Sequence, residues 1–135
     1  MRMARLACVV IALCGACMQA AASPRADFEL GRKYRNGIGV QRDSVRAIAL
    51  IEKAAQAGHP AAMFIFSAML AAGEGSPRDV TAGRRWLEAA AALELPVAMQ
   101  QLAMNLREGA PGFERDEERA TQLMNSVAHA MKHAH

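Results

Sequence analysis

Few residues in this chain have types and spacings that could do chemistry. His129 and His133 are four positions apart, one turn of a helix, with His135 close behind. Imidazoles at that spacing can share a metal ion. No glutamate follows His129 as a zinc-protease motif requires, and the pair sits at a chain end, where helices fray. His129 and His133 are therefore read as a tail with incidental metal affinity. Glu117 and Glu118 are adjacent, so on a helix they point about 100° apart and cannot flank one substrate. Gly37-Ile38-Gly39-Val40 lacks the third glycine of a dinucleotide loop. Gly73-Glu74-Gly75-Ser76 follows a helical pattern instead of a strand, which excludes a nucleophile elbow. No nucleophile has a base beside it, so neither catalysis nor a cofactor is expected.

The remaining reactive type is cysteine, and all three, Cys8, Cys14 and Cys17, lie near the start. Two arginines stand within Met1 to Arg5. Leu6 to Met18 is an uncharged apolar run of 13 residues, short of the ~20 that span a bilayer. Ala20-Ala21-Ala22 supplies small residues for cleavage before Ser23. Together these features form a secretory signal over residues 1–22. Its only membrane contact would precede cleavage. The residues before Cys17 lack the bulky aliphatic side chain expected three places before an acylated cysteine, so lipidation there is not expected. The processed chain, residues 23–135, would hold no cysteine, hence no disulfide, thiolate metal site or thiol nucleophile.

Removing Arg2 and Arg5 reduces the 16 basic residues to 14, against 13 acidic ones. A nucleic-acid partner would call for a marked basic excess or stripe, so none is expected.

From Ser23 onward the chain repeats itself, and these repeats are the elements that position everything else. Ala26, Ala62 and Ala98 recur at a spacing of 36 residues, which gives units at 26–61, 62–97 and 98–135. Leu30, Phe66 and Leu102 then align, followed by the small residues Gly31, Ser67 and Ala103. Tyr34, Leu70 and Leu106 follow, then Gly37, Gly73 and Gly109. Asp43 matches Asp79 and, after one inserted residue, Asp116. Each unit reads as two helices. The first opens at proline, which suits an early helical position, and stops at glycine. The second is capped by aspartate. Small residues belong where two backbones approach closely, and Tyr34 and Trp86 would fill wider gaps. No strand-like alternation appears, so the chain is expected to be all-α.

The pattern resembles the Sel-1-like repeat, a relative of the tetratricopeptide repeat. The first copy carries it best, through Leu30-Gly31, Tyr34, Gly37, Gly39-Val40, Asp43, Ala47, Ile51, Ala54-Ala55 and Gly58-His59. The second keeps Gly73, Gly75, Asp79, Trp86 and Ala90-Ala91. The third departs at Ala110-Pro111-Gly112-Phe113, as suits a terminal, capping copy. The resemblance implies a short right-handed α-solenoid of about three antiparallel helix pairs. It also implies an adaptor that binds another protein or peptide, with no shared catalytic residues, of the exported bacterial type and so periplasmic or secreted.

A partner surface would then lie on the first helices of the units, which line the concave face in related repeats. Met63, Phe64, Ile65 and Met69 in the second copy are not demanded by the repeat, nor are Met99, Gln100, Gln101 and Met104 in the third. Methionine adapts to varied apolar partners. Arg25, Arg32, Lys33 and Arg35, with Asp27 and Glu29, read as a solvated face supported by a Glu29–Lys33 pair. Two other roles compete with the adaptor: a structural subunit of an envelope or secretion assembly, and an exported metal-binding protein.

Overall fold

A computed structural model describes residues 22–134. The signal read over residues 1–22 and the last histidine, His135, therefore fall almost wholly outside the described residues. Six helices follow in order: α1 (Pro24–Asn36), α2 (Ser44–Gln56), α3 (Pro60–Ala72), α4 (Val80–Ala92), α5 (Pro96–Glu108) and α6 (Glu117–Lys132). Among the described residues there is no strand, and no helix is long and apolar enough to cross a membrane.

The boundaries follow from the repeated cap residues. Asp43, Asp79 and Asp116 accept the backbone N–H three residues on, at 2.9–3.0 Å. Gly37, Gly73 and Gly109 end α1, α3 and α5 in the left-handed conformation, where an L side chain would be strained. Ser23 caps α1. At the second junction His59 does the same work, its Nδ1 accepting from the Ala62 N–H at 3.2 Å while its ring lies 4.8 Å from that of Phe28.

The helices pack as three pairs, α1 on α2, α3 on α4 and α5 on α6, joined through α2 on α3 and α4 on α5. This is the α-solenoid that the repeat implies. Small residues sit at the crossings. A Cβ on Gly31 would stand 2.6 Å from Ile51 Cγ1, and one on Gly83 2.9 Å from the Ser67 carbonyl oxygen. Phe66 meets Trp86 edge to face at 5.3 Å. The core runs continuously through all three pairs, with Ile51, Met69 and Leu102 its largest fully buried side chains.

Three expectations about side chains change. Leu30, aligned with the buried Phe66 and Leu102, is itself 41% exposed, because no helix pair precedes α1 among the described residues. Asp27 is buried instead of solvated, with Lys53 Nζ 3.6 Å away. Glu29 pairs with Arg32 at 3.5 Å, not with Lys33.

Arg35 leaves that face altogether and binds Glu74 of the next repeat through Nε at 2.6 Å and a second nitrogen at 3.1 Å. These charged hydrogen bonds hold the Glu74 carboxyl below its ordinary pKa, against the opposing pull of partial burial. A carboxylate whose folded-state pKa is lowered stabilises the fold at neutral pH, and that contribution disappears as pH falls through the lowered value. Glu74→Gln should therefore cost about 1 kcal/mol at pH 7, reduced by solvent screening of a partly exposed pair. Thermal melts of both proteins should converge as pH falls below the ordinary carboxylate range; a gap unchanged by acid would contradict the pairing.

Candidate partner-binding groove

An apolar groove of about 350 Å³ lies where the second helix pair meets the third. Helix α3 supplies Phe64, Ser67, Ala68 and Ala71; α4 supplies Val80, Gly83, Arg84 and Leu87. Helix α5 adds Gln101 and Asn105, and the loop before α6 adds Ala110, Pro111 and Phe113. Local sequence explains the opening. Ala68 and Ala71 are too short to fill the space between the larger Phe64, Leu87 and Phe113.

Its polar groups are few and mostly committed. The Arg84 guanidinium lies 5.5 Å from the Phe113 ring centre and donates to the Gly112 carbonyl at 3.1 Å and to Glu88 at 3.4 Å. Arg119 of α6 donates to the same Glu88 at 3.3 Å, so this chain of charges ties α4, α6 and the loop together. Arg78 donates to the Ala71 carbonyl at 3.0 Å. Gln101 donates to Asn105 across one helical turn at 3.0 Å, which leaves the Gln101 carbonyl and the Asn105 amide hydrogens to pair with something else. Apolar walls with a few convergent amides suit an extended polypeptide segment, its side chain on the aromatic rings and its backbone on the amides.

The residues singled out as a partner surface divide sharply. Met63, Met69 and Met99 are buried in the core and cannot line a surface. A helix in the middle of the stack is covered by its own partner and by a neighbouring pair, and these methionines face that cover. Phe64 and Ile65 are half-buried against the core, and Phe64 also lines the groove. Gln100 is half-buried, Gln101 lies in the groove, and Met104 is exposed outside it. Sequence reasoning missed the α4 face and the loop. Phe113, an aromatic in the loop that breaks the repeat, was the one available signal.

His129 and His133 hold their rings 4.5 Å apart on an exposed face. Among the described residues no three His, Cys, Asp or Glu side chains come together as a metal site.

Comparison with known proteins follows the same lines. The Sel1 repeat profile matches residues 24–59, 60–95 and 96–128, each opening at a helix-starting proline. A Sel1 repeat protein from Oxalobacter formigenes superposes with a TM-score of 0.76 at 28% identity, over 79% of this chain and 43% of the other. A second solved structure is c5321, a protective antigen present in uropathogenic Escherichia coli strains and displaying an SLR fold. It gives a TM-score of 0.74 at 28% identity, over 80% of this chain and 23% of the other. The chain thus spans less than half the length of either. No curated protein matches it. Three consecutive profile matches, each coinciding with one observed helix pair, place this chain in the Sel1 repeat family.

Proposed function

We propose that this chain is an exported, non-catalytic binding module of the bacterial cell envelope that holds an extended, partly apolar segment of another protein. Sel1 repeats generally mediate protein–protein interaction, which supports the class of function. The groove between α3, α4 and α5 carries the finer reading. It joins two aromatic side chains to a pair of amides with spare hydrogen-bonding capacity, on a rigid floor of packed helices. Export is supported by the leader pattern of residues 1–22.

Capture from envelope extract followed by mass spectrometry tests this reading. The bait is the chain recovered from the cell envelope, whose intact mass reports whether processing frees Ser23. Ala68 is exposed and lines the groove, so Ala68→Glu inserts a charged side chain there without disturbing the core. Capture of the main partner should fall at least about tenfold, the effect of placing an unpaired charge in an apolar contact. Undiminished capture by Ala68→Glu would move the binding surface elsewhere.

A further inference from the structure

One corner of the fold is built twice in this chain, once with its charges paired and once without. At the joint between the first two repeats, Arg35 near the end of α1 grips Glu74 in the loop after α3, and Arg42 lines a polar pocket with both. A shift of 36 residues carries Arg35, Glu74 and Arg42 to Ala71, Ala110 and Arg78. Backbone hydrogen bonds fix that register. The Glu74 N–H donates to the Met69 carbonyl at 2.9 Å, and the Ala110 N–H donates to the matching Asn105 carbonyl at 3.0 Å. The second joint therefore keeps one arginine and lacks both the carboxylate and the arginine that grips it. Ala71, Arg78 and Ala110 all line the groove.

The charge left there is positive. No aspartate or glutamate lines the groove. Arg78 is exposed and makes no ion pair among the described residues. Its neighbour Asp79 turns its carboxylate to the Ala82 N–H instead. Arg78 Nε is held by the Ala71 carbonyl, which leaves the two terminal nitrogens to donate side by side to one carboxylate. Further along, Arg84 and Arg119 share the single carboxylate of Glu88. We infer that the groove takes an extended segment of a partner protein that carries an acidic side chain close to an apolar one. The carboxylate pairs with Arg78, in the space that Ala71 and Ala110 leave open, and the apolar side chain enters between Phe64, Leu87 and Phe113. The partner thus supplies the carboxylate that the chain itself supplies at the first joint. A basic segment is repelled by Arg78 and Arg84, and a wholly apolar one strips water from Arg78 without replacing it. This assignment rests on the groove being the partner site.

The test uses end-blocked synthetic peptides in matched sets, each with a leucine and, nearby in sequence, glutamate, glutamine or lysine. Fluorescence anisotropy measures their binding to the chain recovered from the cell envelope. Glutamate peptides should bind at least about fivefold tighter than their glutamine matches, the margin of one charged hydrogen-bond pair at a partly exposed site. Lysine peptides should bind weakest, and added salt should narrow the differences. Arg78→Gln should erase the glutamate margin while the glutamine peptides keep their affinity and the circular dichroism melt stays unchanged. Ala71→Arg combined with Ala110→Glu rebuilds the first joint's pair in the second and should block every set without loss of stability. Equal binding of glutamate and glutamine peptides, lost in Ala68→Glu, would overturn the acidic preference and leave the groove standing. A glutamate margin that survives Arg78→Gln would do the same. Free-ended peptides without glutamate that bind as tightly as the blocked glutamate ones would overturn the side chain in favour of a chain terminus. Binding that ignores Ala68→Glu, or no binding by any set, would overturn the groove and the preference together.

Discussion

Gly75→Ala will destabilise the fold by about 2–4 kcal/mol, the sum of a left-handed backbone forced on an L residue and a clash with fixed backbone. Gly75 has φ +78°, and the added methyl would stand 2.2 Å from the Ser44 carbonyl oxygen and 3.1 Å from Ile48 Cγ2. Neither neighbour can yield cheaply. Ser44 opens α2, and Ile48 belongs to the core. The loop between α3 and α4 would have to lift off α2, loosening the joint between the first two repeats and straining the Arg35–Glu74 contact beside it. Gly39 provides the control. It occupies the matching loop position with φ +71° and open space around it, so Gly39→Ala should cost only about 1 kcal/mol, the conformational part alone. Urea denaturation of the two variants separates the effects. The midpoint should fall much further for Gly75→Ala at similar slope; equal losses would mean that the close approach contributes nothing.

The same pair of glycines shows why the fold was legible in the sequence. Caps and close approaches are local steric demands, repeated three times, so Asp43, Asp79 and Asp116 or Gly37, Gly73 and Gly109 can be aligned without knowing the rest of the structure. His59 escaped notice as a cap because imidazole seldom serves as one, yet it accepts the Ala62 N–H. The binding face was less legible. Helix α3 reads Met63-Phe64-Ile65-Phe66-Ser67-Ala68-Met69-Leu70, apolar on every side, and periodicity selects no outer face for such a helix. The groove depends on α4 and on the loop reaching Phe113, residues brought to α3 only by the stacking of the pairs. Exposure at Leu30 and Met124 was hidden for a related reason. Leu30 aligns with the buried Phe66 and Leu102, and Met124 with the buried Ile51 and Leu87, so alignment alone implies a burial that these two do not have.

Met69→Ser should cost about 3–5 kcal/mol, near the whole stability of a marginal domain. Met69 is fully buried among the core residues, so truncation removes most of an apolar side chain, leaves a cavity, and places a hydroxyl where few partners exist. Its backbone carbonyl also accepts from the Gly73 and Glu74 N–H groups that close α3, so loosening there reaches the loop carrying Gly75. Met104 is the matched contrast: same side-chain type, same kind of helix, half exposed. Met104→Ser should change stability by less than about 0.5 kcal/mol, as exposed substitutions do. Chemical denaturation of the two variants decides between a core and a surface role for methionine in the first helices of the pairs. Were Met69→Ser to remain as stable as Met104→Ser while losing its partner, α3 would turn its methionines outward in solution. The groove would then have to be redrawn along that face.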